Sequence, residues 1–212
     1  DTGTAGDGIT RDTTLQIRGT AEPSAQIDVF QDGVYIATVM AVGTGDWALP
    51  PVATLAEGVY LFTAKATDAA GNQSVASAPF TVTIDTTAPA VTVTSQTTSD
   101  TTPAIAGTVS DGTLQVVVNG KTYTAGDGKL SVSGTSWTLQ IPAGDALAAG
   151  TYDVGAWSSD LAGNTGTDGT TGELVIDTAA PVVTVNAQTT NDTTPAITGT
   201  VSDGTLRVVV NS

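Results

Sequence analysis

Thr101-Thr102-Pro103-Ala104-Ile105-Ala106-Gly107-Thr108-Val109-Ser110-Asp111-Gly112-Thr113-Leu114-Gln115-Val116-Val117-Val118-Asn119 returns as residues 193–211, with only Thr198 in place of Ala106 and Arg207 in place of Gln115. The stretch contains two short runs of β-branched and small residues separated by Ser110-Asp111-Gly112, a turn sequence. Two strands joined by a turn, repeated 92 residues later, indicate a chain built of like units.

Other markers recur at the same interval. Asp85-Thr86-Thr87-Ala88-Pro89 returns as Asp177-Thr178-Ala179-Ala180-Pro181, and Asp68-Ala69-Ala70-Gly71-Asn72 as Asp160-Leu161-Ala162-Gly163-Asn164. The units are therefore read as 1–88, 89–180 and 181–212. The third holds only two or three strands' worth of chain. It is expected to be the N-terminal part of a truncated repeat, with completion of a neighbouring molecule by strand addition as the alternative.

Within each unit the strand signals are short and turns fall every 8–12 residues, the pattern of a β-sandwich. In the second unit Val91–Thr94 reads as strand A, Ala104–Val109 as B and Leu114–Asn119 as C. Trp137, Leu139 and Ile141 alternate along E, Tyr152, Val154 and Ala156 along F, and Leu174–Ile176 forms G. Asn119-Gly120 and Asp32-Gly33 carry the residues that a tight hairpin turn requires. Gly58-Val59-Tyr60 and Gly150-Thr151-Tyr152 place a Tyr at the start of strand F, the position of the tyrosine corner in immunoglobulin-type sandwiches. Trp47 and Trp137 alternate with inward Leu and Ile, so they and both Tyr are expected to be buried. The prediction is an all-β chain of tandem immunoglobulin-like, Greek-key sandwiches of about seven strands each, arranged as a linear rod.

Composition narrows the function. The chain has 6 basic and 21 acidic residues, a formal charge of −15, no His and no Cys. Repulsion opposes binding to nucleic acid and to anionic membranes, and no apolar run approaches the roughly 18 residues that cross a bilayer. Disulfides and Cys or His chemistry are excluded, and zinc, copper and iron are poorly served. No nucleophile elbow or phosphate loop is present, and the acidic residues follow the repeat instead of marking one cleft, so the chain is read as non-enzymatic.

The Asp-Thr-Thr-Ala-Pro junction at 85–89, the Asp-x-Ala-Gly-Asn loops, and Ser-Asp-Thr-Thr-Pro at 99–103 with Asn-Asp-Thr-Thr-Pro at 191–195 resemble the bacterial Ig-like repeats of giant adhesins exported by type I secretion, including biofilm-associated and RTX adhesins. The resemblance covers nearly the whole chain. It implies a secreted, extracellular, cell-surface spacer that projects a distal module toward a host, surface or matrix ligand, with Ca²⁺ at or near domain junctions.

Placing the acidic residues on a seven-strand topology leads independently to a cation. The BC and FG loops lie at the top of a unit, beside the incoming chain, so Asp85, Asp111 and Asp160 are expected to meet at the first junction. Carboxylates within about 4 Å repel by roughly 4 kcal/mol per pair at an effective dielectric near 20 unless a cation or proton intervenes. Ca²⁺ accepts carboxylate, amide and carbonyl oxygens, which adds Asn164 to the candidate set. By repetition, Asp177 and Asp203 are candidates at the next junction, and Asp68 in the first unit, where Glu22-Pro23 stands near the place of Asp111. The competing reading is that these Asp residues form turns, which suits Asp100 and Asp192 best. The expected function is a non-catalytic extender whose partners are its neighbouring repeats and calcium. A carbohydrate- or protein-binding Ig-like module and a filament-forming matrix subunit are the alternatives. The insertion of about four residues near Lys121–Ser133 is the place to look for a binding patch.

Overall fold

The computed structural model describes residues 2–51 and 53–210. Asn211, which closes the repeated stretch, lies outside them. The fold is all-β, with one short 3-10 turn at Ala143–Asp145. Among the described residues no helix is long and apolar enough to cross a membrane.

The first unit has seven strands: β1 (Ile9–Thr10), β2 (Ile17–Thr20), β3 (Gln26–Gln31), β4 (Val34–Met40), β5 (Asp46–Leu49), β6 (Gly58–Thr67) and β7 (Phe80–Ile84). One sheet has the order β1-β7-β6-β3-β4, with β1 parallel to β7, and β2 pairs with β5 in the other. Alternation selects the core: Ile27 and Val29 on β3 and Trp47 and Leu49 on β5 point inward, while their neighbours face solvent. A second apolar cluster holds Phe62, Val82 and Ile84. The turn between β3 and β4 uses Asp32 at φ 52° and Gly33 at φ 80°.

The second unit is divided more finely: β8 (Val91–Val93), β9 (Gln96–Thr98), β10 (Ala104–Val109), β11 (Thr113–Val118), β12 (Lys121–Thr124), β13 (Leu130–Ser133), β14 (Ser136–Gln140), β15 (Gly150–Tyr152), β16 (Val154–Ser159), β17 (Thr165–Thr167) and β18 (Leu174–Ile176). Its sheets run β13-β14-β10-β8, β12-β11-β16-β17 and β15-β18-β9. Strand A thus changes sheets: β8 pairs antiparallel with β10, and β9 runs parallel to β18. Strand F, read from sequence as continuous, breaks at Asp153. There the Asp153 carboxylate accepts from Gly172 N at 2.7 Å, and Glu173 accepts from Val154 N at 2.9 Å. These two exchanged bonds satisfy amides that a regular ladder would otherwise pair.

Trp137 is 1 % exposed at the centre of this unit's core. Its Nε1 donates to the carbonyls of Thr92 and Thr108, both at 3.2 Å, so the indole bridges β8 and β10. The ring lies on Gly107, where a Cβ would overlap it. The Tyr expectation needs correction, because Tyr60 and Tyr152 are only half-buried. Their hydroxyls donate to Ala56 O at 2.9 Å and Ala148 O at 3.0 Å, which holds each ring at the rim. The tyrosine corner is present in both units, and its geometry sets the partial exposure.

Beyond Ile176, β19 (Val183–Val185) pairs antiparallel with β20 (Gly199–Val201) in the register of β8 on β10. All six strand residues are exposed.

Trp137→Ala is expected to destabilise the second unit by about 3–5 kcal/mol, because a buried ring, two indole hydrogen bonds and the packing against Gly107 go together. Thermal unfolding resolved by unit checks it: an unchanged second transition would place Trp137 outside the core.

Candidate functional site at the domain junction

The Asp-x-Ala-Gly-Asn loop closes on itself. In 160–164 the Asp160 carboxylate accepts from Asn164 N at 2.8 Å and from Asn164 Nδ2 at 2.9 Å. Asp160 N donates to Asn164 O at 3.1 Å, and Gly163 takes φ 86°, open to glycine without a Cβ penalty. Loop 68–72 repeats the arrangement, with Asn72 N and Nδ2 donating to Asp68 at 2.8 and 2.7 Å. The Asn72 side-chain amide first, and its backbone N–H next, hold the Asp68 carboxyl below its ordinary 3.8.

Surroundings separate the two loops. Residues 68–72 are intermediate or exposed, whereas Asp160, Ala162 and Asn164 are buried. The first unit covers the second loop. Asn164 Nδ2 donates a further bond, 2.9 Å long, to the carbonyl of Asp85. The carbonyls of Leu161, Ala162 and Gly163 accept in turn from Thr4 N at 3.2 Å, Thr2 Oγ1 at 2.6 Å and Arg11 Nη1 at 2.8 Å. Oxygen acceptors from both units therefore converge on one small region, each satisfied by an N–H or O–H donor.

The other candidates lie as follows. Asp85 turns its carboxylate to Thr87 N at 3.0 Å, although its carbonyl faces Asn164. Asp111 is exposed, with its carboxylate on Gly112 N and its carbonyl taking the Ser158 hydroxyl at 2.6 Å. Asp177 accepts from Ala179 N, and Asp203 from Gly204 N. Asp100 and Asp192 accept from Thr102 N and Thr194 N as turn formers. Among the described residues no group of three or more acidic side chains gathers as a metal cluster.

Two junction residues escaped the sequence reading. Glu57 accepts from the hydroxyls of Thr87 at 2.8 Å and Thr86 at 3.0 Å, tying the linker to the first unit. These hydroxyls, that of Thr87 foremost, hold the Glu57 carboxyl below its ordinary 4.5. Arg11 is the second, standing where the later repeats have Ser99 and Asn191 before the recurring Asp-Thr-Thr. Their one sequence signal is negative: they stand where the repeats differ.

The insertion near Lys121–Ser133 is fastened to its own domain. Tyr123 is buried and donates to Asp145 at 2.9 Å, and Lys121 forms an ion pair with the same carboxylate. Asp127 caps the turn through Lys129 N at 2.7 Å and Leu130 N at 3.0 Å. Burial first, then Asp145, pushes the Tyr123 phenol up to about 12. Lys121 first, then Tyr123, holds the Asp145 carboxyl below 3.8.

Sandwiches with a switching strand A and a tyrosine corner define an immunoglobulin-like β class. The family model described as a bacterial Ig-like domain matches residues 1–86, and a group 3 bacterial Ig-like domain matches residues 51–122. Between them the two bacterial Ig-like domain models cover residues 1–122 of the chain. Solved structures similar to it include a tetra-tandem repeat in the extending region of a large adhesion protein. That match has 24 % identity, 90 % of this chain, 52 % of that one and TM-score 0.38. Another is a Ca²⁺-stabilized adhesin that helps an Antarctic bacterium reach out and bind ice, with 27 % identity, 91 % and 54 % coverage and TM-score 0.43. The fibronectin(III)-like modules of Clostridium thermocellum CbhA match at 13 % identity, 79 % and 88 % coverage and TM-score 0.42. The chain spans about half the length of the first two. No curated protein matches it.

Asn164→Ala is expected to cost about 1–3 kcal/mol, more than Asn72→Ala, because only Asn164 also serves a carbonyl across the junction. Denaturant unfolding of both variants checks this, and equal losses would confine the role of Asn164 to its own loop.

Stability of the second unit should also depend on pH at both extremes. The Asp145 value is depressed by folding, so its contribution is present above 3.8 and lost as pH falls further. The Tyr123 value is raised, so its contribution is present below 10.0 and lost as pH rises through about 12. Urea midpoints of the unmodified chain and Tyr123→Phe across this range test it: the alkaline loss should shrink in the variant.

Proposed function

We propose that this chain is a non-catalytic extender segment of a secreted bacterial surface adhesin, whose junctions are stiffened by Ca²⁺. The observation that supports the reading most is the cross-domain bonding of loop 160–164, where Asn164 reaches Asp85 and three successive carbonyls take donors from residues 2–11. A spacer must resist bending between its units, and a loop held by the preceding domain limits that motion.

The donor chemistry at this junction suits a hard cation. Asn164 Nδ2 sits 2.9 Å from both Asp85 O and Asp160 Oδ2, so two oxygens already point at one place. Turning the Asn164 amide over presents its oxygen instead and leaves oxygens that repel unless a cation lies among them. Asp85, Asp160 and Asn164 would then hold Ca²⁺, with Asp111 at the rim. Asp177 and Asp203 would serve the next junction, and Asp68 the top of the first unit. Bound calcium would supply charge neutralisation and a tie between domains.

Calcium is expected to increase the maximum dimension of the chain in small-angle scattering and to raise its melting temperature, with chelator reversing both. At 100 times Kd the stabilisation is about 2.7 kcal/mol. Asp160→Asn and Asp111→Ala should blunt the response. Identical curves in all conditions would leave these aspartates as turn formers and refute the calcium strut.

A further inference from the structure

The two sandwiches share a register along strands F and G and differ at one rung of it. In the first, Tyr60, Leu61 and Phe62 of β6 pair with Val82, Thr81 and Phe80 of β7 without interruption. In the second, Gly150, Thr151 and Tyr152 pair with Ile176, Val175 and Leu174 in the same way. The next rung sets Asp153 against Glu173, in the places of Leu61 and Thr81, and there the ladder stops. Strand F leaves β18 and continues as β16, between β11 and β17.

The two carboxylates cross the gap that the break opens. Asp153 Oδ1 takes the N–H of Gly172, the residue before Glu173, and Glu173 Oε2 takes the N–H of Val154, the residue after Asp153. Both are therefore held between the same two dipeptides, 153–154 and 172–173. Their exposure differs. Asp153 faces solvent, whereas Glu173 is 2 % exposed, and its Oε1 is buried without a hydrogen-bond partner. No other buried side-chain nitrogen or oxygen among the described residues lacks one.

A buried carboxylate with an unpaired oxygen carries a large desolvation cost, and a second carboxylate across the rung adds repulsion. The fold does not require either group, since the uncharged Leu61 and Thr81 complete the same rung in the first unit. Neither carboxylate has a Lys or Arg partner: the ion pair among the described residues is Lys121 with Asp145. A proton on one carboxyl removes half of the charge. A cation between the two serves both. Oxygen ligands alone select a hard ion, and a pair of carboxylates with one open to water is the donor set of a divalent ion that keeps part of its hydration shell.

We propose that Asp153 and Glu173 form a site for a hydrated hard divalent cation, of the Mg²⁺ or Ca²⁺ class, inside the second sandwich. Glu173 Oε1 is its buried ligand and Asp153 its ligand on the solvent side. The ion joins strand F to strand G at the rung where the ladder is interrupted, in place of the uncharged pair of the first unit. Both ligands belong to one domain, so the site is separate from the junction and does not rest on the calcium strut.

Mn²⁺, which takes the same oxygen ligands and broadens nearby amide signals, is the probe, added to the isotopically labelled full chain. Signals of residues 152–154 and 172–174 should broaden at low Mn²⁺, and excess Mg²⁺ or Ca²⁺ should restore them. Asp160→Asn, which removes a junction carboxylate, should leave this broadening unchanged, so the junction reading and this one fail separately. Asp153→Asn and Glu173→Gln each keep an oxygen for the N–H they now accept while removing a charge, and each should weaken Mn²⁺ binding about tenfold or more. Asp153 is exposed, so its variant decides the question if Glu173→Gln does not fold. In the Asp160→Asn background Mg²⁺ should raise the unfolding temperature of the second unit, and adding Asp153→Asn should abolish the rise. Broadening confined to residues 85 and 160–164, or an unchanged affinity in Asp153→Asn, overturns the proposal. So does a Glu173→Gln chain as stable as the unmodified one when neither responds to metal, the result expected where a proton satisfies Oε1.

Discussion

One indole packed on a glycine organises each sandwich. Trp47 and Trp137 lie across from Gly19 and Gly107 in the sheet register, and a Cβ at either glycine would overlap the ring. With no Cys to form a disulfide, this contact and the aliphatic residues around it supply the cohesion between the sheets. In the second unit strand A seals the arrangement by accepting the indole N–H. In the first, Trp47 keeps the same packing on Gly19, with no such indole acceptor among the described residues.

The junction is built from loops whose shape is set before the domains meet. The Asp-x-Ala-Gly-Asn pentapeptide satisfies its own carboxylate, amide and backbone, and loops 68–72 and 160–164 adopt the same bonds in different surroundings. A loop already ordered loses little freedom on docking, so a few bonds suffice to hold it against the preceding domain. The chain has a formal charge of −15, and Arg11 brings a positive charge to this junction, its guanidinium donating to Gly163 O.

Most of the aspartates spend their carboxylates on nearby N–H groups. Asp12, Asp100 and Asp192 cap the same Thr two residues on, Asp127 caps a tight turn, and Asp85 and Asp177 cap the linkers that follow them. Turn formation and ion binding draw on the same residue type because both need a short side chain that presents an oxygen close to the backbone. Sequence position therefore brings the segments of Asp85 and Asn164 to one junction without deciding which atoms of each face it.

The sequence by itself determined the all-β class, the repeating motifs, the inward Trp residues and the hairpin turns. Each is encoded within a few residues, by strand alternation or by a positive φ at Asp32-Gly33 and Asn119-Gly120. Tertiary structure alone decided that Asp85 contributes its carbonyl where its carboxylate was expected, and that Glu57 ties the linker. It also decided that strand F breaks where Asp153 and Glu173 exchange amide partners. Those outcomes depend on groups far apart in the chain competing for the same donors and the same edge, and no local pattern records which competitor prevails.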